Sequence, residues 1–280
     1  MLQSQKALIS ACQEIGLEFE VIHEDQISVV VKAGKYRLYF THWHNPFNRT
    51  DIRRIAKDKD LSYTVLSNVI NVPRWKAYLD PKMEDIYPTH AEGRDIMNLE
   101  EIIDDIRQNF ELPFVIKPNM KSMGKNVQII NSVNEIKQAL QLIYTQDNRD
   151  YDYIAIAQER IDIAHEYRVL NFRSEVKLAY EKSVVGAKFT GNISPLHWDG
   201  GKAVRVIDPM LLQRLEEFCN PVYDVIDIEY GGFDIAIDTN DEMWMIELNN
   251  NPALGHFIAD CGDEAIKEMY KEILSEMSQD

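Results

Sequence analysis

Oxygen donors converge in the last quarter of the chain. Asp234 lies in GGFDIAID, and Glu247 and Asn249 lie in MIELNNNP. In an extended segment Phe233, Ile235 and Ile237 share one face, so Asp234 and Ala236 share the other. Met245 and Glu247 are expected to point alike on the second strand, with Asn249 continuing that row. If the strands pair across Thr239–Glu242, a carboxylate faces another carboxylate and an amide. Hard oxygen donors grouped in this way suit Mg2+ shared between protein and substrate phosphates. A solvent-facing hairpin with ordinary surface acids has the same spacing.

Cationic residues cluster earlier, in FVIKPNMKSMGKNVQII. A short strand delivers Lys117 at its end. A loop with Lys121, Ser122, Gly124 and Lys125 follows, then a second strand. Backbone amides and lysines in such a loop can cover phosphates. GxxxxGK[ST] and GxGxxG are both absent, so neither common phosphate fingerprint applies. The plainer alternative is a lysine-bearing hairpin turn. In AQERIDIAHEYRVLNF, Gln158, Glu159, Ile161 and Glu166 bracket a bend between strands. Backbone groups there could hold an adenine edge, and a carboxylate a ribose. His42 and His44 have H-x-H spacing, open to a metal or simply to a loop near a substrate mouth. His197 and His256 are candidates for taking a proton, or plain surface and loop histidines.

The elements that must position these residues are short. An amphipathic helix is expected over 6–14, then strands over 18–23, 27–32 and 36–40, the last two turning at Ala33-Gly34-Lys35. Residues 58–70 carry helical spacing until Asn71-Val72-Pro73 stops them. Asn98 with Glu101 makes a capping box for a helix over 98–110. Phe114–Lys117 and Val127–Ile130 read as strands, and Ser132 with Glu135 is expected to cap a helix over 133–145. Residues 154–158, 166–172 and 175–181 look extended, with a turn at Arg173-Ser174. Asp208 and Pro209 open a helix to Cys219. Strands over 232–238 and 243–248 follow, and Asp263 is expected to cap a last helix. Trp244 is expected in the core. Small alternating groups of this kind suggest α+β units rather than one doubly wound sheet.

The composition supports a folded, soluble chain. The 280 residues are 45% apolar and 27% charged, enough to bury roughly three-quarters of the unfolded surface without a metal or disulfide staple. The net charge of −16 argues against sequence-independent binding of nucleic acid. No apolar run approaches a membrane span. Three scattered cysteines, Cys12, Cys219 and Cys261, fit neither a disulfide framework nor a zinc cluster and suit a reducing cytoplasm.

In combination, order and separation, the three pieces resemble the ATP-grasp superfamily from about Arg54 to His256. The stretch DKDLSYTVLSNVINVP, with Lys59, looks like the family's entry segment, and VIKP, with Lys117, like its lysine-proline strand. Glu159 and Glu166 keep the spacing of the nucleotide hinge in D-alanine–D-alanine ligase. The resemblance implies an α+β fold in which two subdomains clamp ATP behind a short amino-terminal α/β segment. The expected units are residues 1–50, 51–155 and 156–280.

The resemblance also implies roles. Lys59 and Lys117 would contact the ATP phosphates, and residues 121–126, including Lys121, Ser122 and Gly124, would cover them. Gln158, Glu159 and Ile161 would hold the adenine edge, Glu166 the ribose, and Ile246 would pack on the base. Asp234, Glu247 and Asn249 would hold two Mg2+ ions, with Mn2+ as a substitute and Glu247 bridging. EYRVLNF, Lys182 and FTGNIS look like a run in bacterial glutathione synthetase and ribosomal-protein glutamate ligase. That places Arg168, Lys182 and Asn192 near the transferred phosphate. Lys182 and Thr190 depart from the usual arginines, and Gly200-Gly201 arrives late, behind an insert with His197 and Trp198. The short amino end is similar to the ATP-grasp portions of cyanophycin synthetase and the bifunctional glutathione enzymes.

The activity so implied is ATP-dependent ligation of a carboxylate to an amine, on amino-acid or peptide substrates, without nucleic acid or membrane. Dimers are common in the superfamily, so a homodimer is compatible. A nucleotide-binding module without ligation, or a small-molecule kinase, remains open. Specificity is expected in loops 41–50, 78–97 and 188–203.

Overall fold

The first element is an amphipathic helix, α1 (Gln3–Ile15), whose Ala7, Leu8, Ala11 and Cys12 are buried. Gly16 ends it at φ 70°, a left-handed conformation that favours glycine. In this computed structural model all residues are described except 87, 94 and 146–148, and of 86, 90 and 91 only the backbone. The expected specificity loop 78–97 thus includes two positions outside the described residues.

Strands β1 (Phe19–Val21), β2 (Ser28–Ala33) and β3 (Tyr36–Thr41) form an antiparallel sheet in that order. Gly34-Lys35 makes the β2–β3 turn, as the spacing predicts. A Cβ on Gly34 would come within 3.0 Å of the Ser278 carbonyl oxygen, so the turn and the tail of the chain fit only with glycine there.

Two helices follow, α2 (Thr50–Lys57) and α3 (Lys59–Leu66). Asp58 separates them, and its carboxylate accepts from the Leu61 amide at 3.1 Å, an N-cap that restarts the helix. The second sheet comes from β4 (Trp75–Leu79), β5 (Phe114–Pro118), β6 (Gln128–Ile130) and β7 (Ile154–Glu159), in the antiparallel order β4-β7-β5-β6. Single turns α4 (Met83–Ile86) and α5 (Pro88–Ala91) precede α6 (Leu99–Asn109), and α7 (Val133–Ile143) precedes β7. Ile102, Ile106, Phe114, Ile116, Ile136 and Leu140 pack this layer together.

The Asn98–Glu101 capping box forms in full. The expected Ser132 cap does not: its hydroxyl donates to the Glu135 carboxylate instead of receiving a helix amide. Strand β4 was not foreseen, because WKAYL is an edge segment with weak alternation and only Tyr78 buried.

The third sheet contains β8 (Ile163–Phe172), β9 (Glu175–Ser183), β10 (Lys202–Arg205), β11 (Tyr230–Asp238) and β12 (Met243–Asn249), in the order β10-β9-β8-β11-β12. Arg173 and Ser174 both take positive φ to turn β8 into β9. Helix α8 (Pro209–Cys219) starts on Pro209, with the Asp208 carboxylate accepting from the Met210 amide. One face of the sheet (Tyr167, Val169, Phe233, Ile235 and Met245) packs with Leu215 of α8 and with Ile52, Ala56 and Leu66 from the expected 51–155 unit. Helices α9 (Gly255–Cys261) and α10 (Glu264–Gln279) close the chain, α10 packing with α1 and the first sheet in one core. Asp263 precedes α10 but makes no side-chain cap.

One expectation about strand faces fails. Asp234 is opposite Glu247, but Ile235 is opposite Met245, so Ile246 is an extra residue in β12. This bulge breaks the alternation. Met245 is buried with Ile235, whereas Glu247 emerges on the Asp234 side with Met245 left behind. Trp244 is half-buried rather than core, its indole N–H donating to Asp238 at 3.1 Å.

Candidate functional site

Lys117 rises from the end of β5 into a buried position, 6% exposed. Its ammonium donates to the Tyr63 hydroxyl at 2.9 Å and, among the described residues, has no carboxylate partner within bonding reach. Burial, and then the nearby Lys59 charge, push its pKa down to about 7. Tyr63, from the middle of α3, is 1% exposed. Its hydroxyl lies 2.5 Å from the Ile246 carbonyl oxygen and 3.1 Å from Gln158 Oε1. It joins the entry helix, the hinge strand and the β12 bulge. Ile246 therefore presents its carbonyl inward, and its side chain is half-buried.

Lys59, the first residue of α3, donates to the carbonyls of Asn119 and Lys121 at 3.2 and 2.6 Å and pairs with Glu247 at 2.9 Å. Fully buried Asn119 donates to Asp58 at 2.8 Å and accepts from the Asp60 amide at 2.9 Å. Asp152, also buried, accepts from the amides of Met120 and Ile154. These bonds fix the root of the 121–126 loop. Farther out, Lys121 donates to the Arg149 carbonyl at 3.3 Å, Lys125 pairs with Asp150 at 3.2 Å, and Ser122 is exposed. Met123, Gly124 and Asn126 all take positive φ. The Asn192 amide donates to the Met123 carbonyl at 3.0 Å, and its Oδ1 fills the place a Gly124 Cβ would need.

The hinge residues separate. Gln158 faces Tyr63, while the Glu159 carboxylate accepts from the Arg74 amide at 2.5 Å and its own amide donates back to the Arg74 carbonyl. Ile161 is half-buried, its carbonyl accepting from the Ile163 amide.

Arg168, Asp234 and Lys182 form a buried knot. Arg168 grips Asp234 through two bonds of 2.7 Å, and Lys182 lies 2.8 Å from Asp234 and 2.5 Å from Glu166. Burial alone would raise the Asp234 pKa, but Arg168 and Lys182 outweigh it and hold the carboxyl at about 2. For Lys182 burial is likewise outweighed, by Asp234 and then Glu166, and the ammonium is held above its ordinary range. Glu166 is engaged by Lys182 in this state rather than open to a ribose.

Asp234, Glu247 and Asn249 share one face, with Asn249 Nδ2 3.4 Å from Asp234. Two carboxylates and an amide form a donor set that fits hard divalent cations. Glu247 is the accessible member, its side chain 24% exposed. Both Asp234 oxygens already accept from Arg168, and Oδ2 also meets Lys182. No group of three His, Cys, Asp or Glu side chains suited to a metal exists among the described residues, because the third donor here is an amide. His42 and His44 do not form a metal pair by themselves: His44 contacts Asn251 at 3.0 Å, in the turn after Asn249.

Tyr63, Asp58, Asn119 and Asp152 were missed from the sequence. Only Asp58 carried a signal, as a helix-capping type beside Lys59. The others act through contacts 32 to 183 residues distant.

A family model described as a RimK-like ATP-grasp domain matches residues 82–273. Among curated proteins, formate-dependent phosphoribosylglycinamide formyltransferase of Francisella tularensis subsp. tularensis is 28% identical over 161 residues, 55% of this chain and 39% of that protein. The chain thus spans about two-fifths of the length of these relatives. Solved structures share the fold. D-alanine–D-alanine ligase from Bacillus anthracis, complexed with ATP, gives a TM-score of 0.52 at 16% identity, covering 80% of this chain and 66% of that one. A bifunctional glutathione synthetase from Pasteurella multocida gives 0.51 at 14%, covering 96% and 43%. The ATP-grasp ligase PsnB, complexed with a minimal precursor, Mg and ADP, gives 0.53 at 14%, covering 84% and 62%. No helix among the described residues is long and apolar enough to cross a membrane.

Proposed function

From the premise that this chain belongs to the RimK-like ATP-grasp family, we propose that it joins a carboxylate to an amine at the expense of ATP, releasing ADP and phosphate. The observation that carries this reading is the meeting of three cations, Lys59, Arg168 and Lys182, with the oxygen donors Asp234, Glu247 and Asn249, beside Lys117 buried against Tyr63.

A carboxylate is a poor acyl donor because its leaving group would be oxide. Phosphorylation converts it to an acylphosphate, which an amine can attack. Phosphoryl transfer asks a protein mainly for positioning and charge neutralisation. Lys117 sits buried without a counterion, and a phosphate supplies one. Lys59 can exchange Glu247 for the same phosphates. The 121–126 loop, rooted by Asn119 and Asp152, covers them, while Gln158 to Ile161 flank the base. Arg168 and Lys182 would receive the charge of the transferred group, and Asn192 meets the loop through the Met123 carbonyl. Magnesium ions held by Asp234, Glu247 and Asn249 would neutralise the phosphate oxygens and orient them.

Amino acids or peptides are the substrates best suited to this reading, in keeping with the glutathione and D-alanine ligases that share the fold. The test is a phosphate-release screen with Mg-ATP over amino acids and small carboxylates, singly and in pairs. A ligase releases phosphate only with a donor and an acceptor together. Mg-ATP binding without turnover on any pair would refute ligation, and a stable phosphorylated product without an amide would identify a kinase instead.

A further inference from the structure

The insert between β9 and β10 is held together by hydrogen bonds of its own. Lys188 and Asp199 exchange backbone bonds of 2.8 and 3.0 Å, and the Trp198 indole donates to the Asn192 carbonyl at 2.8 Å. The Thr190 hydroxyl donates to the His197 carbonyl at 2.9 Å, and a Cβ on Gly201 would lie 2.3 Å from the Pro195 carbonyl oxygen. This frame holds the His197 ring edge-on to His256, centroids 5.4 Å apart at 86°. Helix α9, which carries His256, lies on the Asp234 side of the sheet. Phe257 packs on Tyr180 at 5.1 Å, and Asp260 accepts from the Ala203 amide at 2.8 Å. Ala203 is the register partner of Lys182, and the Lys182 charge is felt at His197, so the imidazole pair stands on the Lys182 side of the knot.

We propose that His197 accepts the proton that the acceptor amine sheds as it attacks the activated carboxylate. This deepens the ligase reading and rests on it. The amine arrives neutral and its lone pair forms the C–N bond. The nitrogen becomes cationic and strongly acidic, so an imidazole is basic enough to take its N–H proton. The C–O bond to phosphate then breaks, and phosphate leaves with the electron pair. His197 must be neutral to serve. Burial, and then His256 and Lys182, hold its pKa below the ordinary value. It remains partly exposed, so the proton can pass on to solvent. His256 packs against it and keeps the ring in place.

Hydroxylamine separates this role from a structural one, because it attacks acylphosphates as a weakly basic, neutral nucleophile and needs little help with a proton. With Mg-ATP and a mixture of the twenty L-amino acids, hydroxamate formation is measured with hydroxylamine present and amide formation without it. His197→Gln and His197→Asn should each keep hydroxamate formation within about twofold and lower amide formation about a hundredfold. Unchanged amide formation would overturn the proposal, as would equal loss of both products, which marks a structural residue. A wild-type chain that yields neither product, here or with any donor–acceptor pair of the phosphate-release screen, would instead overturn the ligase reading itself.

Discussion

Lys59 and Glu247 form an ion pair of 2.9 Å that ties the first residue of α3 to β12. Each occupies the place of a charge that the other would meet in a nucleotide complex: the ammonium stands in for a metal ion and the carboxylate for a phosphate. On the proposed reading, nucleotide and metal would enter by exchanging partners across an existing pair rather than by creating charge in a dry cleft. That exchange spares the desolvation cost of an unpaired ion.

Glu247→Gln should lower phosphate release about a thousandfold, since a lost metal contact is worth several kcal/mol in the transition state. Gln retains an oxygen acceptor for Lys59, and the side chain is partly exposed, so the thermal midpoint should move little. Parallel assays of phosphate release and thermal unfolding check both halves. Full turnover in the variant would remove the proposed metal site.

Lys117 makes stability depend on pH in a direction that can be worked out. Unfolded, its ammonium titrates near about 10.4; folded, it titrates at about 7. Between those values the unfolded state holds the extra proton, so this residue's contribution to stability rises as pH increases from about 7 to about 10.4. Below pH 7 both states are charged and the penalty is full. Lys117→Met should therefore raise the thermal midpoint at pH 7, narrow that advantage by pH 10, and weaken ATP binding. Paired melts across that range, with titration calorimetry for ATP, test it. A variant that melts lower at pH 7 would contradict the burial argument.

Strand and helix positions were legible wherever a period or a cap was strong: α1, the β2–β3 turn, the Asn98 box and the Asp208-Pro209 start all stand where the pattern puts them. Strands β4 and β10 were not, because each buries a single side chain, too little to impose alternation. The bulge at Ile246 escaped because nothing in MWMIELN marks an extra residue. Within the site, side chains bearing charge could be picked out by type. Their partners could not, since Tyr63 meets Ile246 across 183 residues and no local pattern encodes such a contact.

Gly124→Ala should weaken ATP binding about tenfold. The residue has φ +66°, and an added Cβ would fall 2.1 Å from Asn192 Oδ1, so backbone strain and a clash add together. Asn192→Ala in the same chain removes the clash but leaves the strain. The double variant should then bind ATP better than the two single losses combined predict, with a coupling of about 1 kcal/mol. Dissociation constants for the four chains complete the cycle, and strict additivity would mean that the loop does not rest on Asn192.

Asn119→Ala should destabilise the chain by about 2 kcal/mol and weaken ATP binding as well. The fully buried amide ties the β5–β6 loop to the start of α3 by side-chain bonds to both Asp58 and the Asp60 amide, beside the Lys59 bonds to the same loop. Its loss leaves the part-buried Asp60 amide without its acceptor and takes from Asp58 Oδ1 one of its two donors, and an unmet donor costs more than the bond itself was worth. Asn119→Asp should be worse at pH 7, because a carboxylate would replace the donor that Asp58 now meets. In that variant the folded state gains by binding a proton, so its deficit should shrink as pH falls toward 5. Chemical denaturation at the two pH values distinguishes lost hydrogen bonding, which alanine shares, from repulsion between the two carboxylates, which only aspartate introduces.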